Sequence, residues 1–594
     1  MNRPKFLNNK KANKRVVSMA LVAVMLFNTM PINEMVEEFS VFNSFDSSIS
    51  ARAEDVSPYS FSNGVDEYAA DRIETTGDYD YKYTITINSA DDFKRFSWWY
   101  YSYSSDNKVK KAYFELSMGL QGAVFYDLYD KENNDVTYSY KSIGTSTAPF
   151  NGKMEITTSV VNQFYSPVPL FEYIDQRSVI SDGTSGYSTL IFYCSEDTTT
   201  TPATVFAKNV VNPSNSNTPL ICDISLENYT GEGDYNEKAT SGIFGVIGDT
   251  DHKASVQLNL TNNATGSNIY SADDVGLLCG TLNAGSVLNV TLNDGTNNNY
   301  SVTSTGGQAG GLVGSMYAKS QLILSGAGLN DVTNTVSSST SYAGGIVGYA
   351  EDAYIGTSVV SDDDYSTVTI SDSLKTTKTT ITGESGSGYV FGYYKNMLAS
   401  REFDISLTSP ITADMTTSNA GGVFGVLRNE GSELIIDGNK TINNASTDND
   451  AELIVTLSTE SLINRGGMIG SYSTNSLSNT LEVKNSAVKV TGGVKTDSFG
   501  TIIGCINDTG GNSAAYVKIS NIYAKRTNND NYGGGLVGRA GNTNAKGSFI
   551  DVSGYIKING KFSAGLVKEM LYGVLRMQML PQHLISASIQ IIRI

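Results

Sequence analysis

The amino-acid sequence predicts an all-β fold, a parallel β-helix in which successive coils of the chain stack into a solenoid. The first observation is a glycine phrase, the segment 309–314 (AGGLVG), which returns at 343–348 as AGGIVG. The final glycines of its copies lie 33 to 35 residues apart, except for two steps of 44 and 45 residues. Self-similarity at such a period is typical of solenoids. The repeat glycines are Gly245, Gly280, Gly314, Gly348, Gly392, Gly425, Gly470, Gly504 and Gly538, and a degenerate last copy has Lys568 in this position.

The second observation is the alternation between the phrases. Runs such as 255–260 (SVQLNL), 287–292 (VLNVTL) and 453–457 (LIVTL) place apolar residues at every second position. This period is typical of half-buried strands. Glycine suits a corner with positive φ, or one where a neighbouring chain passes close, and the sequence leaves both explanations open. A β-sandwich with glycine-rich turns is the alternative fold, but a sandwich does not need the same phrase in every unit.

The two long steps of the repeat are predicted to contain inserted loops. We place these loops at 362–365 (DDDY) and at 443–450, outside the rod, because each lies in a step with about ten extra residues.

The chain begins with a predicted signal peptide at 1–53. Six basic residues from Arg3 to Arg15 precede the apolar run 16–27, which is too short to span a bilayer comfortably. The segment 51–53 (ARA) offers a small-x-small cleavage site. A retained membrane anchor is the alternative.

A polar lead-in is predicted at 54–82, and an N-terminal cap with the first, aromatic-rich coils at 83–220. A strand at 83–87 precedes a predicted helix at 89–103, with Ser89 as N-cap. Because an open solenoid end exposes strand edges, we expect this helix to cap it. The aromatic residues are interpreted as filling for the cap and the first coils, with a sugar-binding platform as the alternative. The apolar positions at helical spacing are Phe93, Phe96, Trp99, Tyr100 and Tyr103.

The glycine-phrase repeats occupy 221–568, and an atypical tail occupies 569–594. After Glu569 the chain contains no acidic residue, and its composition shifts to Met, Leu, Ile, Gln and Arg. We interpret this change as a frameshift or a truncation near Lys568, with a genuine capping element as the alternative.

Several motifs occur in a characteristic order: 87–93 (INSADDF), 142–145 (SIGT), 149–152 (PFNG) and then the serial glycine phrases. In this order they resemble the GLUG-motif β-helix proteins of bacterial cell surfaces, over roughly 83–568. The resemblance implies a right-handed parallel β-helix and a surface or adhesin-like role. The sequence departs from the usual pattern of that family at 153–155 (KME), which follows Gly152.

Charge and cysteine content restrict the class of partner. The chain has 42 Lys and Arg against 60 Asp and Glu, a formal net charge of −18. This balance argues against nucleic-acid binding, which requires basic patches, and no membrane insertion is expected after signal removal. The four cysteines lack the spacing of a zinc or redox site. Buried free thiols are favoured for Cys194, Cys222, Cys279 and Cys505, with a Cys194–Cys222 disulfide as the alternative.

Histidine content limits the catalytic chemistry. The chain has only His252 and His583, so no His-based metal site or Ser/His/Asp set can be assembled. The acidic runs 362–364 and 448–450 lack an evident basic partner, and solvated turns are favoured over catalysis. They are weak candidates for Ca²⁺ binding, and no cofactor is expected otherwise.

The sequence therefore predicts a non-enzymatic, secreted or cell-surface, adhesin-like solenoid of bacterial origin. Its partner is expected to be an extracellular glycan or protein surface. The alternative is a polysaccharide lyase or glycoside hydrolase on the same fold.

Overall fold

The computed structural model describes residues 59–578 with internal gaps. The gaps are 74–78, 119–140, 157–161, 166–168, 182–187, 194–205, 227–241, 263–266, 294–298, 327–332, 362–364, 375–377, 409, 444, 458–462, 493–497, 507–514, 528–532, 542–547, 561–565 and 571–572. The predicted signal peptide at 1–53 lies outside the described residues.

The predicted parallel β-solenoid is confirmed. Four sheets run along it, and their strands pair in parallel with the equivalent strands of the neighbouring coils. Among the described strand pairs, only Ala70–Arg72 with Tyr81–Ile87 is antiparallel. The right-handed twist implied by the resemblance stays a prediction.

Sheet I begins near the N-terminus. Its strands are Ala70–Arg72, Tyr81–Ile87, Ala112–Met118, Gly152–Ile156, Val179–Ser181, Leu220–Leu226, Ser255–Asn262, Val287–Asn293, Gln321–Gly326 and Tyr354–Gly356, with Asn162–Tyr165 and Ser188–Tyr193 attached beside Leu220–Leu226.

Sheet II contains the second half of each glycine phrase. Its strands are Phe171–Asp175, Ala207–Val211, Phe244–Ile247, Cys279–Leu282, Val313–Met316, Val347–Glu351, Phe391–Asn396, Phe424–Asn429, Ile469–Thr474, Ile503–Ile506, Val537–Ala540 and Val567–Met570. We number coils 1 to 10 from the sheet II strands, so that coil 1 begins at Phe244 and coil 10 at Val567.

Sheet III begins as two separate columns of short strands, and from coil 7 onward a single long strand per coil continues both columns. The first column is Ser267–Ser271, Asn299–Ser304, Thr333–Ser338, Lys378–Gly383, Ile411–Met415 and Leu453–Leu457. The second is Thr367–Ser371, Ser400–Ser406 and Glu433–Asp437. From coil 7 onward Thr480–Gly492, Tyr516–Arg526 and Ser548–Asn559 continue both, and Gly573–Gln578 pairs with Ser548–Asn559.

Sheet IV contains the first half of the phrases. Its strands are Ala309–Gly310, Tyr342–Gly344, Gly386–Gly388, Ala420–Gly421, Arg465–Gly466 and Phe499–Gly500. Among the described residues, the helices are α1 (Ala90–Tyr103), α2 (Asn107–Lys110) and the 3-10 turns Gly64–Asp66, Asp372–Leu374 and Asp448–Asp450.

Alternating side chains build one continuous core. In Val287–Asn293 every second residue is buried, and Leu288 and Val290 pair with Leu322 and Leu324 of the next coil. Because each coil repeats this alternation in register, apolar side chains stack on their equivalents and form a core from Tyr83 to Leu566.

The predicted helix is present as α1. The Ser89 hydroxyl accepts the Asp92 N–H at 3.1 Å as N-cap, and the Asp92 carboxylate accepts the N–H of the preceding Asn88 at 3.1 Å. The ring of Tyr100 lies 5.1 Å from that of Phe114 in the first coils. The role of α1 as an end cap stays a prediction.

Many of the described aromatic residues of the first coils lie in the core, as interpreted from the sequence, although Tyr101 is 43% exposed. Six buried rings follow one another along the core with centroid distances of 5.1 to 5.8 Å. They belong to Tyr83, Phe114, Phe150, Phe171, Phe206 and Phe244.

The placement of the first insertion outside the rod is wrong for Tyr365. Its side chain is only 4% exposed, its hydroxyl donates to the Lys319 carbonyl at 2.8 Å, and the hydroxyl accepts from Gln321 Nε2 at 2.8 Å. The Gln321 amide also bonds to the Val360 backbone at 2.9 Å in both directions. The insertion therefore folds back onto coil 3. The acidic run 362–364 lies outside the described residues.

Coil pairing continues beyond the predicted repeat boundary at 568. Val567–Met570 pairs with Val537–Ala540, and Gly573–Gln578 pairs with the first part of Ser548–Asn559. The start of the predicted tail thus has the strand pattern of the preceding coils, whereas 579–594 lie outside the described part of the chain.

Candidate functional site

The structure aligns the predicted repeat glycines along sheet II. Phe244 pairs with Cys279, Cys279 with Val313 and Val313 with Val347, and this register continues to Val567. Each paired residue immediately precedes a phrase-final residue. The nine glycines and Lys568 therefore occupy equivalent positions in successive coils.

Close backbone approach explains why the phrases need glycine. A Cβ on Gly348 would lie 2.7 Å from the Gly314 carbonyl oxygen and 2.8 Å from that of Ala309, where no side chain fits. The nine repeat glycines are not among the glycines with positive φ. Of the two explanations that the sequence left open, close approach applies to the seven repeat glycines from Gly314 to Gly538.

The earlier glycine of each phrase completes an interlock that sequence reasoning missed. A Cβ on Gly310 would lie 1.7 Å from the Val313 carbonyl oxygen and 2.8 Å from the Gly348 nitrogen. The first glycine of one phrase thus packs on the last glycine of the next. The interlocked pairs are Gly310–Gly348, Gly344–Gly392, Gly388–Gly425, Gly421–Gly470, Gly466–Gly504 and Gly500–Gly538, which together form the glycine seam.

A cluster of four tyrosines lies on the outside of the coils beside sheets II and IV, and we call it the tyrosine strip. Tyr349 and Tyr393 belong to coils 4 and 5, and their rings stack with centroids 5.1 Å apart and planes 5° apart. Tyr317 lies 5.9 Å from Tyr349, and Tyr342 lies 4.8 Å from Tyr393. The strip therefore extends over three consecutive coils.

Backbone position explains why these tyrosines face outward. Tyr349 and Tyr393 directly follow the phrase glycines Gly348 and Gly392, and the next residue in each strand is buried in the core. Tyr317 is 38% exposed, and the other three rings are half-buried. The sequence contained a usable signal, since both Gly-Tyr pairs occupy the same position in the phrase.

Charged side chains flank the strip in balanced number. Lys395 lies 3.9 Å from the carboxylate of Glu351 and 3.7 Å from that of Glu430, and Arg428 lies 2.6 Å from Glu430. The Tyr349 hydroxyl donates to Glu351 at 3.2 Å. The border thus carries two acidic and two basic groups on a chain that is acidic as a whole.

The strip hydroxyls stay protonated over the physiological range. Burial raises the pKa of Tyr393 to about 12 and, together with the Glu351 carboxylate, raises the pKa of Tyr349 further. Burial also raises the pKa of Tyr317 and of Tyr342. Each hydroxyl can therefore act as a hydrogen-bond donor or acceptor at neutral pH.

Ring stacking restricts how the strip contacts a ligand. The facing sides of Tyr349 and Tyr393 cover each other, so a sugar ring cannot stack between them. Ring edges and hydroxyls remain for contact, and an edge carries the positive end of the aromatic quadrupole. This arrangement suits a partner that supplies carbonyl oxygens and apolar side chains.

The described acidic loop is already engaged by protein groups. The Asp448 carboxylate accepts from the Tyr523 hydroxyl at 2.5 Å and pairs with Lys525, and Asp450 accepts the Thr447 N–H at 2.7 Å. Burial opposes ionisation of Asp448, but these contacts outweigh it and hold the pKa of Asp448 below its ordinary value. Ca²⁺ binding here would have to displace Lys525.

The remaining sequence candidates form no catalytic cluster among the described residues. Cys222 and Cys279 are free buried thiols, Cys505 is buried and its Sγ accepts from the Arg539 Nε–H at 3.4 Å, and Cys194 lies outside the described part of the chain. His252 contacts Asp249 in a turn, and His583 is not described. The described segments hold no group of three His, Cys, Asp or Glu side chains suited to a metal ion.

The fold and its repeating seam define this chain as a parallel β-solenoid protein. No protein family, curated protein or solved structure matches the chain. Within the described ranges, no helix is long and apolar enough to cross a membrane.

Proposed function

We propose that this chain is an exported, surface-displayed, adhesin-like solenoid that binds a partner through the tyrosine strip and catalyses no reaction itself. The basic N-terminal segment followed by an apolar run supports export. The resemblance to the GLUG-motif surface proteins supports display on a bacterial cell. The observation that carries the binding role is the patch of Tyr317, Tyr342, Tyr349 and Tyr393.

A protein surface fits this patch better than a glycan does. Tyrosine is enriched among the residues that dominate protein interfaces, since it offers a large rigid area and a polar tip. A pyranose platform requires an open ring face, and the facing sides of Tyr349 and Tyr393 are occupied. The balanced charges of the border suit a mixed protein surface rather than a polyanion.

The experiment is a binding screen of the full chain against arrays of extracellular matrix proteins and of glycans. We compare the native chain with a Tyr349→Ser/Tyr393→Ser double variant. Tyr516→Ser is the matched control, because Tyr516 is a half-buried outer tyrosine on another sheet that bonds to Asp551. Loss of two central tyrosines is expected to weaken protein binding by about 30-fold or more, while the control binds normally.

Three results would contradict the proposal. Binding to glycans alone would favour sugar recognition elsewhere on the solenoid. Equal binding by the double variant and the native chain would remove the strip from the interface. Release of new reducing ends or unsaturated products from a polysaccharide would instead favour the lyase or hydrolase alternative.

A further inference from the structure

We propose that the insertion 438–452 of coil 6 is a clamp that ties coil 6 to coils 8 and 9, so that coils 6 to 9 open as one unit. In an ordinary solenoid each repeat contacts only its neighbours, and stability is a sum of nearest-neighbour terms. This insertion reaches beyond the neighbouring coil.

Apolar packing provides the first contact of the clamp. Ile442 packs with Ala487 of coil 7 and with Tyr523 of coil 8, and Tyr555 of coil 9 packs against the same group. Ile442 is 8% exposed and Tyr523 is 1% exposed. These residues form a second hydrophobic cluster that is separate from the main core, and it includes residues from four consecutive coils.

Polar contacts extend the clamp to coil 9. Asp448 of the insertion bonds to the Tyr523 hydroxyl and to Lys525, both in coil 8. Lys557 of coil 9 donates to the Ser446 carbonyl at 2.6 Å and lies 5.7 Å from the Tyr523 ring centroid. The contact between Ser446 and Lys557 joins residues 111 positions apart in the chain.

Both ends of the insertion are anchored on coil 7. The Lys440 N–H donates to the Asn485 carbonyl at 2.8 Å, and the Glu452 N–H donates to the Ala487 carbonyl at 2.9 Å. The 3-10 turn Asp448–Asp450 is closed by a capping box with Thr447. Because its ends and its tip are held, the insertion can transmit force from coil 6 to coils 8 and 9.

The first insertion provides a natural contrast. Gln321 and Lys319, which hold Tyr365, belong to coil 3 and therefore to the coil next to that insertion. Removing this contact affects two adjacent coils only. Gln321→Ala is therefore a matched control for a contact without the longer reach.

Hydrogen exchange of the full chain, followed by mass spectrometry, tests the clamp. In an Ile442→Ala/Asp448→Ala variant, amides of Tyr516–Arg526 and Ser548–Asn559 are expected to exchange about 5- to 30-fold faster than in the native chain. In Gln321→Ala, acceleration is expected only near coils 3 and 4. Asp448→Asn keeps the shape of the insertion and is expected to give a smaller acceleration in the same strands.

The outcomes separate the alternatives. Faster exchange in coils 8 and 9 of the double variant, without a change in coils 1 to 3, supports the clamp. Faster exchange restricted to 438–452 would show that the insertion lies on the coils without coupling them and would overturn the proposal. If the double variant does not fold, unchanged exchange of coils 8 and 9 in Asp448→Asn would overturn it equally.

Discussion

The glycine seam and the tyrosine strip lie side by side along sheets II and IV, yet they differ in how far they extend. The seam has the same interlock in six successive pairs, from Gly310–Gly348 to Gly500–Gly538. The strip covers coils 3 to 5. The residue paired with Tyr349 in coil 3 is Ser315, and the residue paired with Tyr393 in coil 6 is Val426. Gly392 and Tyr393 are adjacent in one strand, but the seam position of Gly392 is glycine in successive coils, whereas the residue at the position of Tyr393 varies from coil to coil.

The difference shows how a solenoid can separate stability from recognition. A seam position tolerates no Cβ because backbone atoms of another coil fill that space. A strip position faces outward, so its side chain can vary without disturbing the stack. Specificity is therefore expected at outward positions that differ between coils, and stability at positions that are the same in every coil.

The largest effect is expected from Gly392→Ala in the seam. The new Cβ would lie 2.6 Å from the Gly348 carbonyl oxygen and 2.8 Å from the Ala343 backbone, and neither can move without breaking parallel pairing. We expect the free energy of unfolding to fall by about 3 kcal/mol or more, in the upper range for overpacking. Urea unfolding followed by circular dichroism measures the change. Loss below about 1 kcal/mol would contradict the close-approach explanation.

Arg401→Met tests whether a residue that does not repeat can still be essential for stability. The Arg401 guanidinium is fully buried and donates to the carbonyls of Ala353 and Tyr365, on either side of the first insertion. Removing it takes a charged donor away from both buried carbonyls, although that of Ala353 still accepts from the Tyr394 hydroxyl at 3.3 Å, so a loss of about 2 to 4 kcal/mol is expected. The control is Arg428→Met in the border of the strip, for which thermal unfolding should hardly change.

Glu452→Gln tests a buried acid at the base of the second insertion. Burial raises the pKa of Glu452 well above its ordinary value, despite nearby Lys440. The folded state therefore holds a proton that the unfolded chain releases above about pH 4.5. The free energy of unfolding of the native chain should fall by about 1.4 kcal/mol per pH unit between about pH 4.5 and the pKa that Glu452 has in the folded state.

The Gln variant lacks this proton linkage. The stability of the variant should equal that of the native chain at pH 4 and should exceed it by a growing margin as the pH rises towards neutrality. Urea midpoints at several pH values measure this difference. Parallel pH profiles for the two proteins would show that the carboxyl does not stay protonated in the fold.

The regular part of the molecule could be predicted from the sequence because its signals recur. The period of the phrase implied stacked coils, and alternation such as that of 287–292 implied inward Leu288 and Val290. Ser89 and the aromatic spacing after it implied α1. The first glycine of each interlock was not predicted, since a sequence does not show which backbones approach in space.

The irregular part could not be predicted because its contacts depend on where the insertions fold. Tyr365 follows three aspartates and looks like a loop residue, but its side chain is buried and bonds to the Gln321 amide and the Lys319 carbonyl. Arginine is usually a surface residue, but the Arg401 side chain is fully buried and contacts the carbonyl of Tyr365 in the insertion. The strip was not predicted, although Tyr349 and Tyr393 follow equivalent glycines, because the sequence does not show that their rings meet.

The smallest change in stability is expected from Tyr393→Ala, next to the most sensitive glycine. Its ring is half-buried and contacts Tyr349 and Tyr342, so its loss removes about 1 kcal/mol of aromatic packing, and the backbone is unaffected. Partner binding should nevertheless fall at least about 10-fold, because Tyr393 contacts two other members of the strip. Unfolding curves and binding isotherms of the same preparation measure both quantities. A large loss of stability with unchanged binding would reverse the assignment, and would make the strip a structural element like the seam.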